Sequence, residues 1–488
     1  MSLTFTTVIG LEIHVQLATK TKLFCGCSTD YIGAVPNSNI CPLCTGQPGT
    51  LPVLNERAVE LGIRAGLALG CRINKVTRFD RKNYFYPDLP KAYQISEFYV
   101  PIAEKGSLTL VGDDGEPHKV GITRLHLEED AGKLVHGASD GRIVGSTQSF
   151  VDYNRSSVPL AEIVSDPDIT SPRMAKDYVS TVRQMVRYLG VSDGDMEKGS
   201  MRVDANISQK VSDGRWGDRV EIKNMNSLRA LERALEYEIE RQRAILSDGG
   251  RIKQETRNWD DSAGVTSSSR SKEESNDYRY FTEPDLPPLV LSQEFIDGIA
   301  RSLPELPWEK KARYEEEYAL PSDDIGVLTE QVDLAHFFED CVSHGASPSR
   351  ASNWVRTEVL RVINEGGGHI SSFPISPKSL AGLLRLVEDK KISTTAAKEV
   401  FDGMVSGMEL EKAIESCGVT AGALTGDALL QVVRSIIEGN QDVVEVIRAG
   451  QDKKDKKKKF LQGQIMREAR GQADPREVSE ILDSELSL

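Results

Sequence analysis

The chain has 488 residues, a formal net charge of −14 and an apolar fraction of 39%. This length predicts more than one domain, and the apolar fraction is enough for ordinary hydrophobic cores. The acidic balance argues against non-specific nucleic-acid binding over the whole surface, so any RNA contact must use local basic patches. No apolar run reaches the ~20 residues of a membrane helix, and the start lacks the features of a signal peptide. We therefore expect a cytoplasmic protein with no membrane contact.

The first part of the chain, residues 1–291, contains short β-type runs separated by Gly, Asp and Pro turns. One long helix interrupts these runs, with Ser227 as its predicted N-cap and Gly249 at its end. Strands and helices do not alternate regularly. The pattern therefore predicts an α+β fold, in which a mixed sheet and packed helices form the first domain.

Four of the seven cysteines lie close together in this region, as Cys25 and Cys27 and, after a gap of 13 residues, Cys41 and Cys44. In a reducing cytosol, clustered cysteines indicate metal binding before a disulfide. Two short thiolate pairs on two turns can supply all four ligands of a tetrahedral Zn²⁺, so the spacing predicts a closed, structural zinc site. The alternative is four free cysteines that happen to lie close in the sequence.

Two acidic groups are candidates for binding a cation. Glu12 and His14 are two residues apart in a predicted strand, so their side chains project from one face. Glu128, Glu129 and Asp130 form the second group, in which adjacent acids repel unless they meet water, a cation or basic partners. Oxygen ligands from two separate segments are what Mg²⁺ bound to a nucleotide requires. Taken alone, each group is also typical of a solvated surface.

Cations and aromatic residues are interleaved over residues 80–88, where Lys82 and Tyr84 are candidate binding residues. Aromatic faces stack bases and basic side chains contact phosphate, although aromatic residues in a strand more often belong to a core.

Polar runs rich in Asn, Asp and Arg predict the lining of a pocket. The cofactor-binding candidates from these runs are Asn154, Arg155, Lys198, Arg202 and Asn206. The chain contains no P-loop motif, so a P-loop ATPase is excluded.

The chain turns helical after a Pro-rich joint at residues 283–288. Ser376, before Pro377, and Ser393 are predicted to begin helices. We therefore expect a second, helical domain over residues 292–405.

A small helical tail domain is predicted over residues 406–488. The tail contains the most basic stretch of the protein, a predicted loop that holds Lys453, Lys454, Lys456, Lys457, Lys458 and Lys459. Such a run is usually a solvated loop. On an acidic protein it is also the first candidate for a nucleic-acid contact.

Several of these segments, in this order, resemble the B subunits of heterotrimeric glutamyl-tRNA(Gln)/aspartyl-tRNA(Asn) amidotransferases. The segments that carry the resemblance are residues 10–17, 79–87, 126–133, 195–202, 277–281, 460–466 and 471–475. They extend over essentially the whole chain, and several are eight residues or longer.

The resemblance implies a cradle domain with a kinase and transamidase site, a helical domain, and a tail that binds tRNA. It implies that ATP phosphorylates the side-chain carboxylate of Glu or Asp esterified to tRNA. Ammonia then displaces phosphate to give Gln-tRNA(Gln) or Asn-tRNA(Asn). The implied ammonia source is an amidase (A) subunit that hydrolyses glutamine, in a heterotrimer completed by a small C subunit.

The resemblance also implies roles for single residues. The implied magnesium ligands are Glu12, His14 and Glu129, with Glu128 and Glu221 as weaker candidates. Lys82 is implied to be a cation at the reacting phosphoryl or carboxylate group. Some members of the family lack the four cysteines, so zinc is expected to support the structure and not the chemistry.

Two other interpretations compete. The chain could be an RNA-binding scaffold that only presents tRNA to a partner enzyme, although a pure RNA binder gains nothing from Glu12, Glu128 and Glu129 in a pocket. It could also be the related archaeal-type E subunit, which acts only on Glu-tRNA(Gln). That family carries an inserted domain for which this chain has no room. Both Glu-tRNA(Gln) and Asp-tRNA(Asn) stay candidate substrates.

Overall fold

The structure, a computed structural model, describes residues 3–137, 146–271, 275–366, 368–417, 426–449, 455–469, 473 and 475–486. The chain forms two compact units, Met1–Pro307 and Trp308–Leu488. The first combines a large sheet with helices and the second is helical, so the predicted α+β class is confirmed. The domain boundaries at residues 291 and 405 stay predictions. Lys453 and Lys454 lie outside the described residues.

A sheet of 13 strands forms the frame of the first unit, and two further strands, β7 and β8, pair separately. The strands are β1 Phe5–Gln16, β2 Arg72–Ile73, β3 Val76–Asn83, β4 Tyr93–Val100, β5 Ala103–Val111, β6 Pro117–Glu129, β7 Lys133–His136, β8 Ser149–Asp152, β9 Pro159–Ser165, β10 Met201–Val211, β11 Val220–Lys223, β12 Glu255–Asp260, β13 Val265–Ser271, β14 Phe281–Thr282 and β15 Leu289–Val290. The main order is β13-β12-β11-β10-β1-β9-β6-β4-β3-β14. Strands β11 and β12 run parallel while β1 is antiparallel to both neighbours, so the sheet is mixed, as predicted.

Strand β1 shows how the sheet separates a core from a functional face. Ile9, Leu11 and Ile13 are buried on one side, whereas Glu12 and His14 are only partly buried on the other. Side chains alternate along a strand, so one sequence serves both faces. We call the face that carries Glu12 and His14 the open face. Burial of each large aliphatic side chain on the opposite face stabilises the fold by roughly 1.5–3 kcal/mol.

Within the described residues of the first unit there are four α-helices, and the longest begins where the sequence predicts. They are α1 Glu56–Ala68, α2 Pro172–Tyr188, α3 Leu228–Ser247 and α4 Gln293–Arg301. Helices α2 and α3 pack on each other and contact β1 and β10 respectively. The Ser227 hydroxyl caps α3 by accepting a hydrogen bond from the Ala230 amide at 3.0 Å. Gly249, at φ +78°, supplies the left-handed residue that ends the helix.

The second unit is built from helices around two hydrophobic clusters. The helices are α5 Pro307–Tyr318, α6 Ser322–Leu328, α7 Val332–Ser343, α8 Pro348–Trp354, α9 Leu360–Gly366, α10 Pro377–Glu388, α11 Thr394–Val405, α12 Leu410–Ser416, α13 Gly426–Gly439, α14 Gln441–Arg448, α15 Lys456–Glu468 and α16 Pro475–Leu486. A π-helical turn, Val355–Val359, joins α8 to α9. Ser376 and Ser393 cap α10 and α11, as predicted. Across the described residues, no helix combines the length and the apolar character that a membrane span needs.

The structure corrects one expectation about the basic stretch. Lys456 to Lys459 were predicted to lie in a loop, but they form the first turn of α15. Lys456 and Lys459 are exposed, whereas Lys458 is half-buried and pairs with Asp483 at 2.6 Å. Four cations at a helix N-terminus oppose the helix dipole, which is why the local sequence did not indicate a helix.

Candidate functional site

A row of ionisable side chains crosses four neighbouring strands on the open face. Arg202 on β10 stands opposite His14 on β1, His14 stands opposite Glu162 on β9, and Glu162 stands opposite His126 on β6. Directly paired residues of neighbouring strands point to the same face, so these side chains meet although they are distant in sequence. Strand pairing, and not sequence proximity, therefore assembles the centre of the site.

His14, Glu128 and Glu162 form the first candidate metal group, with ligand atoms all within 4.8 Å of one another. The Nε2 of His14 is 3.4 Å from the Oε2 of Glu162 and 3.9 Å from the Oε1 of Glu128. His126 adds a second imidazole, 3.3 Å from Glu162. The Oε2 of Glu128 is buried and accepts no hydrogen bond within the described part of the chain, although the Nε2 of His126 stands 3.7 Å from it. Buried polar atoms rarely go without a partner, so this oxygen marks a place for a ligand.

Burial and mutual charge set the protonation of this group. Burial disfavours a charged imidazole, but Glu162 and Glu128 outweigh it and raise the pKa of His126 to about 9. Burial alone would raise the pKa of Glu162, yet the two imidazoles, His126 and His14, hold it well below its usual value. The negative charge of the two carboxylates can therefore be neutralised either by protonated imidazoles or by a divalent cation.

Glu12, Asp204 and Glu221 form a second candidate metal group, also with ligand atoms within 4.8 Å. Glu12 stands opposite Asp204 across β1 and β10, and Asn206 donates to the Oε1 of Glu12 at 2.9 Å. The Lys223 ammonium contacts Asp204 and lies 3.5 Å from the Oε1 of Glu221. Lysine thus already balances part of the negative charge, which distinguishes this group from the histidine-containing one.

Glu129 lies apart from both groups. One of its carboxylate oxygens contacts the Lys91 ammonium and accepts a hydrogen bond from the Ile95 amide at 2.9 Å. The other accepts from the Ser157 hydroxyl at 2.8 Å. Neighbouring residues of a strand point to opposite faces, so Glu128 and Glu129 cannot both join the same group. Of the three adjacent acids, it is Glu128 that lies beside the histidines.

Lys82, at the end of β3, points to the same face as the histidine-containing group, because it pairs with Gln94 on β4, and Ser96, two residues further along β4, pairs with Glu128. Burial opposes the charge of Lys82, but Glu128 and, less strongly, Glu162 outweigh it and raise the pKa of the ammonium. The Nζ of Lys82 is 5.0 Å from the Tyr278 ring centre and 5.9 Å from that of Tyr84. A cation held in this way can offset charge that develops on an oxyanion at the group.

Asp130, the third of the adjacent acids, brings together two arginines that the sequence proposed for the pocket. Arg202 donates to it at 3.0 Å, the Gln16 amide donates at 2.9 Å, and the Nε of Arg155 is 3.6 Å away. Burial would raise the pKa of Asp130, but Arg202 and Arg155 hold it below its usual value. This carboxylate is therefore ionised, and it orients both guanidinium groups.

Asn154 and Lys198, also proposed for the pocket, contact loops. The buried Asn154 amide accepts a hydrogen bond from the Asn39 N–H at 2.8 Å and donates to the Val35 carbonyl at 2.8 Å. It therefore fastens the segment that leads to the second cysteine pair. Lys198 is exposed in a turn, where it pairs with Asp195 at 3.1 Å. Neither of these contacts involves a metal group.

The four clustered cysteines converge as their spacing predicts, with all sulfurs within 4.8 Å of one another. The Sγ of Cys44 is 3.6 Å from that of Cys25 and 3.8 Å from that of Cys41. Sulfurs bound tetrahedrally to zinc at about 2.3 Å stand about 3.8 Å apart, so this group fits the ion. The hydrogen bond from Cys25 lowers the pKa of the Cys44 thiol to about 4, and the nearby Lys22 ammonium acts in the same direction. The cluster can hold a metal ion.

A pocket of about 160 Å³ opens beside the second metal group. Glu12 and Asn206 both line it, so one predicted cofactor-binding residue borders a cavity. The wall also includes Ser165, Ser208 and Arg219, which offer hydroxyl groups and a guanidinium group to a polar ligand.

The sequence reasoning missed Glu162, although it stands between both imidazoles of the first metal group. A usable signal was present, because Glu162 is the only charged residue of strand Pro159–Ser165, which is buried at six of its seven positions. A charge in such a strand is costly unless it is paired. Asp204 carried a weaker signal, since it alternates with Arg202 and Asn206 along one strand.

The open face thus combines carboxylates, imidazoles and a buried ammonium at one point of a sheet, which is what metal-assisted group transfer requires. Comparisons with known proteins define the class further. A family model described as the GatB/GatE catalytic domain matches residues 7–297, and one described as the GatB domain matches residues 336–486. The chain therefore belongs to the GatB family, the B subunits of tRNA-dependent amidotransferases.

Similar proteins match almost from end to end, and each is named as the B subunit of an aspartyl/glutamyl-tRNA(Asn/Gln) amidotransferase. The relative from Thermotoga maritima is 49% identical over 478 residues, which cover 97% of this chain and 98% of that protein. The relative from Carboxydothermus hydrogenoformans is 47% identical over 482 residues, covering 98% of each chain. The relative from Thermoanaerobacter sp. is 45% identical over 482 residues, covering 98% of this chain and 99% of its own.

Proposed function

We propose that this chain is the subunit that activates the side-chain carboxylate of glutamate or aspartate on a misacylated tRNA. Its substrates are Glu-tRNA(Gln), Asp-tRNA(Asn) or both, and it works in the cytoplasm with an amidase (A) subunit and a small C subunit. Family membership supports the reaction class. The observation that carries the residue roles is that Lys82 projects from the same sheet face as the His14, Glu128 and Glu162 group.

The reaction needs activation because a carboxylate is a poor electrophile. An oxygen of the side-chain carboxylate attacks the γ-phosphorus of ATP, the bond to the ADP oxygen breaks, and an acyl phosphate forms. Ammonia then attacks the carbonyl carbon, and phosphate leaves with the electrons of the carbon–oxygen bond while nitrogen loses a proton to solvent. Lys82 offsets negative charge on the oxygens in both steps, and burial strengthens that effect.

We assign the divalent cation to His14, Glu128 and Glu162. The donor set fits, because two carboxylates and an imidazole converge and one buried carboxylate oxygen accepts no hydrogen bond from the described residues. A magnesium ion there would offset charge on the phosphoryl oxygens. This assignment keeps His14 and Glu128 from the set that the resemblance implied, adds Glu162, and leaves Glu129 to orient Lys91 and Ser157.

We assign a phosphate group of the nucleotide to the pocket beside Glu12 and Asn206, because about 160 Å³ is too small for a whole nucleotide. It opens on the same sheet face as the metal group, since Glu12 and His14 are two residues apart on β1. Arg219 in its wall offers a cation to phosphate oxygens. Arg202, opposite His14, is a further cation close to the reacting groups.

Two supporting sites complete the proposal. The four cysteines hold a structural zinc, supported by sulfur separations of 3.6 and 3.8 Å that match a tetrahedral site. The tail contacts tRNA through the N-terminal turn of α15, where Lys456 and Lys459 are exposed. The helix N-terminus adds its own positive end to these charges, which suits a phosphate backbone.

The complex reconstituted with its A and C subunits tests the function. It should convert both misacylated tRNAs, or one of them, to the amidated form with cleavage of ATP. With hydroxylamine in place of ammonia, it should yield a hydroxamate of the side chain, which reports the acyl phosphate. An RNA-binding scaffold would bind tRNA but cleave no ATP, and that result would reject the proposal.

A further inference from the structure

Three aromatic residues form a compact platform at the edge of the open face, which we call the aromatic shelf: Phe98, Tyr99 and Tyr280. The Phe98 and Tyr280 rings are stacked, with centres 3.8 Å apart and planes 9° apart. Tyr99 packs edge-on against both rings, with centres 5.1 Å from Phe98 and 6.3 Å from Tyr280. The arrangement is rigid, because each ring is held by the other two.

The shelf is not a closed core. Tyr99 is 53% exposed, although burial of a ring of its size would favour folding. Two cations accompany it, since the guanidinium carbon of Arg78 is 5.7 Å from the Tyr99 ring centre and that of Arg124 is 6.0 Å from the Phe98 ring centre. Phe98 and Tyr280 are partly buried, so Tyr99 is the exposed ring of the shelf. An exposed aromatic ring beside cations is a combination with which proteins bind single-stranded nucleic acid, the ring stacking a base and the cations contacting phosphates.

The shelf also lies at a defined distance from the reacting groups. The Tyr278 ring centre is 5.0 Å from the Lys82 ammonium and 6.0 Å from the Tyr280 ring centre, so the Tyr280 ring is within about 11 Å of Lys82 and the Tyr99 ring, 6.3 Å beyond it, within about 17 Å. In glutamyl-tRNA, about eight bonds separate the side-chain carboxyl from the ribose carbon that carries the terminal adenine, which spans about 10 Å when extended. When the carboxylate is at Lys82, the adenine can therefore reach the side of the shelf that Tyr280 forms.

The side from which the tRNA end would approach the reacting phosphorus also favours the shelf. Phosphoryl transfer places the attacking and leaving oxygens roughly in line, so the two adenosines approach the reacting phosphorus from opposite sides. The pocket beside Glu12 is at the β1, β9 and β10 side of the metal group. Phe98 and Lys82 are at the other side, on β4 and β3.

From these contacts and distances we infer that the aromatic shelf stacks the adenine of the 3′-terminal adenosine of the aminoacyl-tRNA, while Arg78 and Arg124 contact the phosphates that precede it. The inference rests on the proposed function and names the part of the substrate that this edge of the site recognises. Every aminoacyl-tRNA ends in adenosine, so the shelf selects for an intact acceptor end and not for a particular tRNA.

The test is a binding cycle with the reconstituted complex and non-acylated tRNA, either complete or lacking only its terminal adenosine. A base stacked on an aromatic side chain is worth about 1–3 kcal/mol, so we expect the unaltered complex to bind complete tRNA roughly fivefold to 150-fold more tightly than the shortened one. In Tyr99→Ala this ratio should fall towards one. Tyr99→Phe keeps the ring and should keep the ratio.

Phe150→Ala is the matched control, since Phe150 is 56% exposed but lies on β8 in the separate two-stranded pair. It should leave the ratio unchanged. The KM for ATP should be the same in Tyr99→Ala and the unaltered complex. An unchanged ratio in Tyr99→Ala would overturn the inference. A raised KM for ATP with unchanged tRNA affinity would also overturn it, because it would mean that the shelf binds the adenine of ATP and not that of tRNA.

The binding cycle needs no turnover, which separates the two proposals. If the unaltered complex amidates neither misacylated tRNA, the proposed function fails whatever the ratio shows. If amidation proceeds and the ratio does not depend on Tyr99, the function stands and the shelf assignment fails. A 2-aminopurine at the terminal position of tRNA gives a second readout. Its fluorescence should be quenched on binding to the unaltered complex and much less quenched with Tyr99→Ala.

Discussion

Replacing Glu97 by glutamine is expected to change how the stability of the protein depends on pH. The Glu97 carboxylate is fully buried on β4. Its Oε2 accepts hydrogen bonds from the Ile102 amide at 3.1 Å and the Leu127 amide at 3.0 Å, and its Oε1 meets the Thr77 hydroxyl at 3.0 Å. Leu127 directly precedes Glu128, so this carboxylate fixes the backbone that carries a proposed metal ligand.

Glutamine can occupy the same place and keep the three hydrogen bonds that the carboxylate makes. Its carbonyl oxygen can accept from the same two amides, and its NH₂ can donate to the Thr77 hydroxyl oxygen. The Thr77 hydroxyl then donates its proton to the Val100 carbonyl, which it already contacts. The substitution therefore removes a titrating proton and keeps the hydrogen-bond pattern, which isolates the electrostatic effect.

The magnitude follows from the pKa. Burial raises the pKa of Glu97 to about 7, above the ordinary value of 4.5, and the hydrogen bond from the Leu127 amide and the charge of His126 only partly oppose this. The folded state therefore binds the proton more tightly than the unfolded chain. The resulting stabilisation is fully present below about pH 4.5 and is lost as the pH rises through about 7. The difference in pKa corresponds to about 3 kcal/mol.

Urea unfolding at several pH values, followed by tryptophan fluorescence to which the buried Trp259 of the same unit contributes, measures this effect. The free energy of unfolding of the wild type minus that of Glu97→Gln should fall by about 3 kcal/mol between about pH 4.5 and about pH 8. Other titrating groups contribute nearly equally to both proteins and cancel. Parallel stability profiles at a constant offset would refute the reasoning, because they would mean that Glu97 does not gain a proton on folding.

Three further predictions concern the proposed sites. Glu162→Gln should reduce tRNA-dependent ATP cleavage by at least about a hundredfold while the partner amidase keeps its glutaminase activity, and near-normal amidation at saturating magnesium would show that Glu162 is not a ligand. Purified protein should contain about one zinc per chain and Cys27→Ala should lose it and melt earlier, whereas metal-free protein with four reactive thiols would contradict the site. Replacing Lys456 and Lys459 by alanine should raise the KM for aminoacyl-tRNA with little change in kcat and lower the salt slope of binding by about 0.7–0.9 per lost contact. Unaltered tRNA affinity at low and moderate salt would place the tRNA contact elsewhere on the tail.

Local signals account for what the sequence predicted well. Ser227 and Gly249 bound a helix through capping and a left-handed residue, which are effects of a few neighbouring positions. The cysteine spacing works in the same way, because two short pairs need only two turns to converge on one ion. The alternation in β1 likewise placed Glu12 and His14 on one face.

Long-range pairing accounts for what it did not predict. Glu162 reaches the metal group only because β9 lies between β1 and β6. The sequence of Pro159–Ser165 does not predict which strands will be the neighbours of β9. Whether Glu128 or Glu129 joins the metal group also depends on which side chains of β6 point to the open face, and the pairing of β6 with its neighbouring strands decides that. Periodicity gives the alternation of a strand but not which face will be the functional one.

The two faces of the sheet also depend on each other. A slip of β1 by one residue would turn Glu12 and His14 towards the helices and expose Leu11 and Ile13, so every side chain of the strand would change face. Moving two ionisable groups into an apolar layer and two aliphatic groups out of it would cost several kcal/mol at least. The apolar face therefore fixes the register that holds the charged row in line. It follows that the position of His14 relative to Glu162 is determined by residues such as Ile13, which point away from the reacting groups.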